Sequence, residues 1–259
     1  MLIAVYVALM VIGLVGLIVC QKKQKTNPNA QTIALLFLVP TLIGAGGLIY
    51  DQFAGGDREM EQIMKNEIAF AQARAQKVAE FAGQNWAGQS AVIIVEPNTD
   101  KNRIAKAGLD ALKESLKKAG ISATEVALNI PQGSDGEPVP LETAINAKIY
   151  NEVFSKNKSA NIFFILSQLP MDPQELMKMD CWKFEPKKSR VVMISAEIYN
   201  LKNLIAKGII GAAIGSQNNY DPEKPAPKDW KAAFDARYIL ITPQNLKEVI
   251  AKRSDLFAK

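Results

Sequence analysis

Two uncharged, apolar stretches, Leu2–Cys20 and Thr32–Tyr50, constrain this chain more than any other feature. Each is close to the ~20 residues that a helix needs to cross the hydrocarbon of a bilayer. A backbone in lipid must satisfy its own hydrogen bonds, and a helix does so. Before Asp51 the only charged side chains are Lys22, Lys23 and Lys25, all in the short connection 21–31. Basic connections stay on the cytoplasmic side. Residues 1–52 are therefore expected to form a multi-pass hairpin, with helices about 2–20 and 32–50, in an inner (cytoplasmic) membrane. The N-terminus and everything after Tyr50 then lie outside the cytoplasm, with the lipid bilayer as the first partner. The first stretch has no basic start and no small-x-small cleavage pattern, and Cys20 follows Val19 rather than a small residue. It reads as a retained helix, not as a cleaved or lipidated leader. Pro40 marks a place for a kink, and Gly44, Gly46 and Gly47 allow close helix contact.

The chain contains no histidine. Serine, cysteine or zinc chemistry that depends on imidazole is excluded, whereas carboxylates, lysine and backbone amides remain. Cys20 and Cys181 are the only cysteines, one in an apolar run and one in the remainder, so no disulfide is expected within the soluble part. The net charge of +5 misleads, because the three connection lysines supply most of it. The rest is nearly balanced and gives no reason to expect nucleic acid. Gly208, Gly211 and Gly215 do not have the dinucleotide-binding placement, and no phosphate-loop lysine motif occurs, so no cofactor is expected.

After Asp51 the pattern turns amphipathic. Met60, Met64, Ile68, Ala71, Ala75, Val78 and Ala82 recur at helical steps. They predict a linker or stalk helix over 57–83, begun at Gly55 and Gly56 and stopped at Gly83. Its small residues suit packing on the following domain or loose self-association. An α/β domain is then expected over 88–259. Predicted strands are Ala91–Val95, Thr124–Leu128, Ile162–Leu166, Val191–Ser195, Ile209–Ile214 and Tyr238–Ile241. Predicted helices cover 100–119, with Thr99 or Asp100 as cap and Gly120 as stop, then 141–156, 174–179, 201–207 and 244–252. The Pro131–Pro140 and Asn218–Trp230 stretches read as loops. Strands separated by helical crossovers mean one mainly parallel, Rossmann-like sheet.

This succession, over about 88–252, resembles one lobe of a type 1 periplasmic binding protein or of the sugar-binding part of a repressor. Such proteins close two lobes around a ligand, and the present chain has length for one. The resemblance implies a ligand edge that is incomplete unless a second subunit supplies the other wall.

In open parallel sheets, ligands bind beyond the C-terminal strand ends. That rule selects Glu96, Asn98, Thr99, Ser167, Gln168, Ser195, Glu197, Ser216, Gln217, Asn218 and Thr242 as binding candidates. Hydroxyls and amides of this kind suit a small polar ligand, and equally suit turns and helix caps. Glu96 and Glu197, if adjacent, would form an acid–base pair. Met171, Leu176, Met177, Met179 and Trp182 make a soft apolar group suited to contacting a partner. The absence of imidazole and of catalytic motifs favours a noncatalytic, membrane-anchored envelope protein that binds an envelope protein partner, forms a homo-oligomer or builds a membrane complex. The alternative is a membrane-tethered small-ligand-binding or sensory domain, and a carboxylate-dependent enzyme ranks below both. No catalytic or metal-ligating residue is assigned. A concave polar pocket at the strand ends, as opposed to a flat surface, separates the ligand-binding reading from the partner-binding one.

Overall fold

A computed structural model describes residues 2–24, 28–131, 140–194, 198–217, 221 and 224–258. The chain divides into two units, one up to Ile63 and one from Met64 onward.

The first unit contains α1 (Leu2–Lys23) and the start of α2 (Ala30–Trp86). Ala4–Lys23 and Ala30–Tyr50 are long and apolar enough to cross a membrane. Their outer surfaces are exposed apolar side chains such as Val15, Leu36, Leu42 and Ile49, the reverse of a helix buried in a water-soluble core. The two helices meet through glycine. Gly13 and Gly16 lie against Phe37, while Gly44 and Gly47 lie against Tyr6, so that a side chain at any of them would collide. Gly46, grouped with them from the sequence, has nothing near it.

The expected stalk is not a separate helix. α2 runs through Pro40, Gly55, Gly56 and Gly83 and ends at Trp86. A glycine in a helix costs only about 1 kcal/mol relative to alanine, too little to end one held by other contacts. Gly83 lies within the helix close against the Ala119 methyl, where an added side chain would collide. The chain leaves the helix at Gly88, whose φ of 79° suits glycine.

In the second unit, β1 (Ser90–Val95), β2 (Ser122–Ala127), β3 (Ile162–Ile165), β4 (Arg190–Met193), β5 (Ile210–Ser216) and β6 (Tyr238–Ile241) form one sheet in the order β2-β1-β3-β4-β5-β6. Neighbours are parallel from β2 to β5, with Ile93 beside Phe164 and Phe164 beside Val192. β6 closes the edge antiparallel to β5. Alternate residues point to opposite faces, so each strand feeds two cores. Ile93, Phe164, Val192 and Ala212 pack under the last turns of α2 with α3 (Arg103–Lys118) and α8 (Trp230–Arg237). Ile94, Phe163, Val191 and Met193 pack under α5 (Ala147–Lys156), α6 (Pro173–Met177), α7 (Lys202–Ala206) and α9 (Leu246–Lys252). The register slips between Val191 and Val192, and Gly211 is the extra residue. A side chain there would meet the Trp86 ring at 2.8 Å, so the missing Cβ lets α2 press on the sheet.

Three local expectations need correction. α3 is capped by Asn102, which accepts from the amides of Ile104 and Ala105, and Thr99 instead lies in a 3-10 turn. The helix expected over 141–156 is split into α4 (Leu141–Ala144) and α5, because Ile145 is extended and Asn146 caps a fresh start by accepting from Ile149 N–H. The stretch after Lys228, read as loop, contains α8. Asp229 caps it, and Ala233 and Phe234 turn inward.

Candidate functional site

The C-terminal strand ends carry two cavities, and Glu96 lines both. It follows β1 directly, so the strand fixes its backbone while its side chain clears the sheet edge. One oxygen, Oε1, accepts the Gln168 N–H at 3.0 Å. Gln168 is fixed in turn. Its carbonyl accepts from the Tyr150 hydroxyl at 2.6 Å, and the Ser167 hydroxyl lies 2.6 Å from the same phenolic oxygen. A carbonyl only accepts and a phenol has one proton, so Ser167 donates to Tyr150 and Tyr150 donates to Gln168. Ser167 and Tyr150 are fully buried. Burial pushes the Tyr150 hydroxyl well above its ordinary pKa and keeps it a donor. The chain from α5 through the end of β3 to Glu96 is therefore a rigid bracket under the carboxylate.

The first cavity, of about 200 Å³, lies between α2, α3 and the ends of β1, β3 and β4. Ala71, Ala75, Leu166 and Ile194 make its apolar walls, and Arg74, Glu96, Thr99 and Asn102 supply polar atoms. The Arg74 guanidinium covers the Tyr238 ring at 5.3 Å, and its Nε is buried with no hydrogen-bond partner. The second cavity, of about 500 Å³, lies on the other side of Glu96, with Gln168, Pro170, Met171, Tyr199 and Asn200 around it.

The remaining candidates separate into distinct roles. Thr99 lines the first cavity, but its hydroxyl donates to the Glu96 carbonyl at 2.7 Å and closes the turn. Asn98 is exposed, takes a left-handed φ of 59° and makes no side-chain cap. Ser216 ends β5 opposite Tyr238. The Gln217 amide donates to the Asp235 and Tyr238 carbonyls, fastening α8 to β6. Thr242 is buried and exchanges hydrogen bonds with Asn245 ahead of α9. These last three hold the fold together and line neither cavity. Asn200, which precedes α7, lines the second cavity. Ser195, Glu197 and Asn218 lie outside the described residues, and the Glu96–Glu197 pairing with them.

Of the apolar group, Leu176, Met179 and Trp182 are buried, and the Trp182 indole donates to the Leu176 carbonyl at 2.6 Å. They are core residues, which corrects their reading as contact surface. Met171 and Met177 are exposed at 63% and 59%. Burial drives the Cys181 thiol pKa up, leaving it protonated and unreactive. Among the described residues, no group of three or more Cys, Asp or Glu side chains is placed to hold a metal.

Sequence reasoning missed Arg74 and Tyr150. The signal for Arg74 was its place within a helical stripe of buried small residues, Ala71, Ala75 and Val78, where a charge calls for an explanation. Tyr150 was hidden among the ordinary inward residues of its helix.

No protein-family model matches the chain, and no curated protein sequence does. Among solved structures, it is similar to a periplasmic ribose ABC transporter protein from Conexibacter woesei, with a TM-score of 0.44, 9% identity, and coverage of 70% of this chain and 60% of that one. It is also similar to the sugar-binding protein of a sugar ABC transporter from Bacillus halodurans, with a TM-score of 0.42, 10% identity, and coverage of 69% and 64%. A protein described as a LacI transcriptional regulator from Bacteroides fragilis gives a TM-score of 0.35 at 10% identity, covering 69% and 61%. The chain spans less than two thirds of the length of each. Its strand order, with parallel pairing up to β5 and an antiparallel β6, makes the second unit a mainly parallel, Rossmann-like α/β domain, and two apolar helices precede it in the chain.

Proposed function

We propose that this protein is a noncatalytic, membrane-anchored binding protein of the cell envelope. Its two apolar helices sit in the inner membrane as a hairpin with the lysine-bearing connection in the cytoplasm. The α/β domain then stands outside and takes a small polar ligand at its strand ends. One observation supports this best: Glu96, held by the Tyr150–Ser167–Gln168 bracket, is the shared wall of two cavities at the edge where parallel sheets bind ligands. Concavity there favours ligand binding over a flat docking face.

The test is thermal unfolding of the full-length protein in lipid nanodiscs, followed by tryptophan fluorescence, against a panel of sugars, amino acids and polyols. A ligand that binds the folded protein raises the midpoint, and the rise grows with the logarithm of its concentration over its Kd. Glu96→Gln should reduce that rise, and a panel in which nothing shifts the midpoint counts against the proposal. A second reading, contact with an envelope protein, draws on exposed Met171, Met177 and Tyr199. A photocrosslinker at Met171 should then capture one partner in fixed proportion, and its loss with Met177→Glu would mark the surface.

A further inference from the structure

We propose that the smaller cavity binds a zwitterion of the α-amino-acid class, its carboxylate at Arg74 and its ammonium at Glu96. This rests on the reading of the strand ends as a ligand site and names the ligand chemistry. Arg74 and Glu96 line the same cavity with opposite charges. Among the described residues no ion pair joins them, and Arg74 Nε is buried without an acceptor. Tyr238 orients the guanidinium from one side, at 5.3 Å, without satisfying any of its N–H groups. Arg74 lines the cavity, and a carboxylate entering it matches the guanidinium in charge and planarity. Glu96 commits Oε1 to Gln168 and keeps its second oxygen for a donor.

The neighbouring polar groups are already engaged. Thr99 donates to a backbone carbonyl, and the Asn102 oxygen caps α3. They leave the two charges as the main recognition elements. A simple anion would face Glu96 unpaired, a simple cation would face Arg74, and a neutral sugar would compensate neither. A molecule carrying both charges satisfies both, and Ala71, Ala75, Leu166 and Ile194 then face its side chain. Size agrees, because a cavity of about 150 Å³ holds benzene and this one is about 200 Å³.

The experiment is isothermal titration of the full-length protein in nanodiscs with L-valine, isobutyrate, isobutylamine and D-glucose. L-valine should bind at least tenfold more tightly than either half-molecule. Arg74→Gln and Glu96→Gln should each weaken it by roughly tenfold or more, in line with loss of a charge-assisted hydrogen bond. Ala105→Leu, which fills the cavity, should abolish binding without lowering the melting midpoint, and so separates loss of the site from loss of the fold. Binding of D-glucose that depends on Glu96 but not on Arg74 would overturn the zwitterion and leave the strand-end site standing. Binding of L-valine unchanged by Arg74→Gln and by Ala105→Leu would overturn this cavity as its location. Failure of all four probes, together with failure of the wider panel, would overturn both readings.

Discussion

At the scale of single residues, the bracket under Glu96 depends on one phenolic proton. Tyr150→Phe keeps the ring stack on Phe154 but leaves the Gln168 carbonyl and the Ser167 hydroxyl short of a partner in a buried place. The expected cost is about 1–3 kcal/mol, read as a lower unfolding midpoint in tryptophan fluorescence. All three tryptophans, Trp86, Trp182 and Trp230, belong to the second unit, so the signal reports on that unit. The same buried groups shape the alkaline limb of stability. Burial raises the pKa of both Tyr150 and Cys181 in the folded state, so folded protein holds these protons more tightly than unfolded chain does. Their contribution is complete below the unfolded values, about 8.5 for a thiol and about 10 for a phenol, and is lost as pH rises beyond them. Stability should therefore decline above about pH 8.5 and more steeply above about pH 10. Cys181→Ala should flatten the first part of that decline and Tyr150→Phe the second, as measured by melting midpoints across the range. A decline that both variants reproduce unchanged would assign it to other groups.

At the scale of elements, the second half of α2 matters most. Ala73, Ala75, Ala79 and Ala82 are buried to the last atom or nearly so, and Gly211 gives way to Trp86 beneath them. A helix this close to a sheet has no room for growth. Ala79→Leu and Gly211→Ala should each cost about 1–3 kcal/mol by overpacking, whereas Lys247→Ala on the outer side of α9 should leave the unfolding midpoint unchanged within error. Strand identity was legible in the sequence because Ala91–Val95, Ile162–Leu166 and Val191–Ser195 are continuous apolar runs of the kind that two-sided burial demands. The end of α2 and the break before α5 were not, because glycine and asparagine signal boundaries only where nothing else holds the chain. Gly83 is a glycine for close packing against Ala119 and not for a helix stop, and Asn146 caps because Ile145 is extended. α8 escaped notice because three prolines and several charges precede it, although Asp229 followed by Ala233 and Phe234 is a cap and an apolar pair at helical spacing. For the site, strand ends pointed to Glu96 and Gln168. Arg74 comes from a different element, and only the packed structure brings it to the same cavity.

At the scale of the whole molecule, α2 belongs to both units, and this governs where the chain tolerates division. Residues from Phe70 to Trp86 supply part of the core over Ile93, Leu112 and Phe164. A chain started at Met64 should fold and stay soluble. One started at Gly88 would leave that face of the sheet bare and should aggregate, as size-exclusion chromatography will distinguish. Membrane orientation is tested separately. A cysteine replacing Ser254 in a chain with Cys20 and Cys181 changed to alanine should react with a membrane-impermeant thiol reagent in intact cells, and protection until lysis would reverse the orientation proposed above. The strand order has a further consequence for how the protein is made. After β2 pairs on one side of β1 and β3 on the other, each later strand, from β4 to β6, joins beside the one synthesised just before it. From β2 onward each strand finds a partner already synthesised, and the helix that roofs one face is already present when β1 emerges. The sheet can thus be assembled in step with synthesis, each newly exposed edge being covered by the next stretch of chain, which limits the time that any unpaired strand is open to the wrong neighbour.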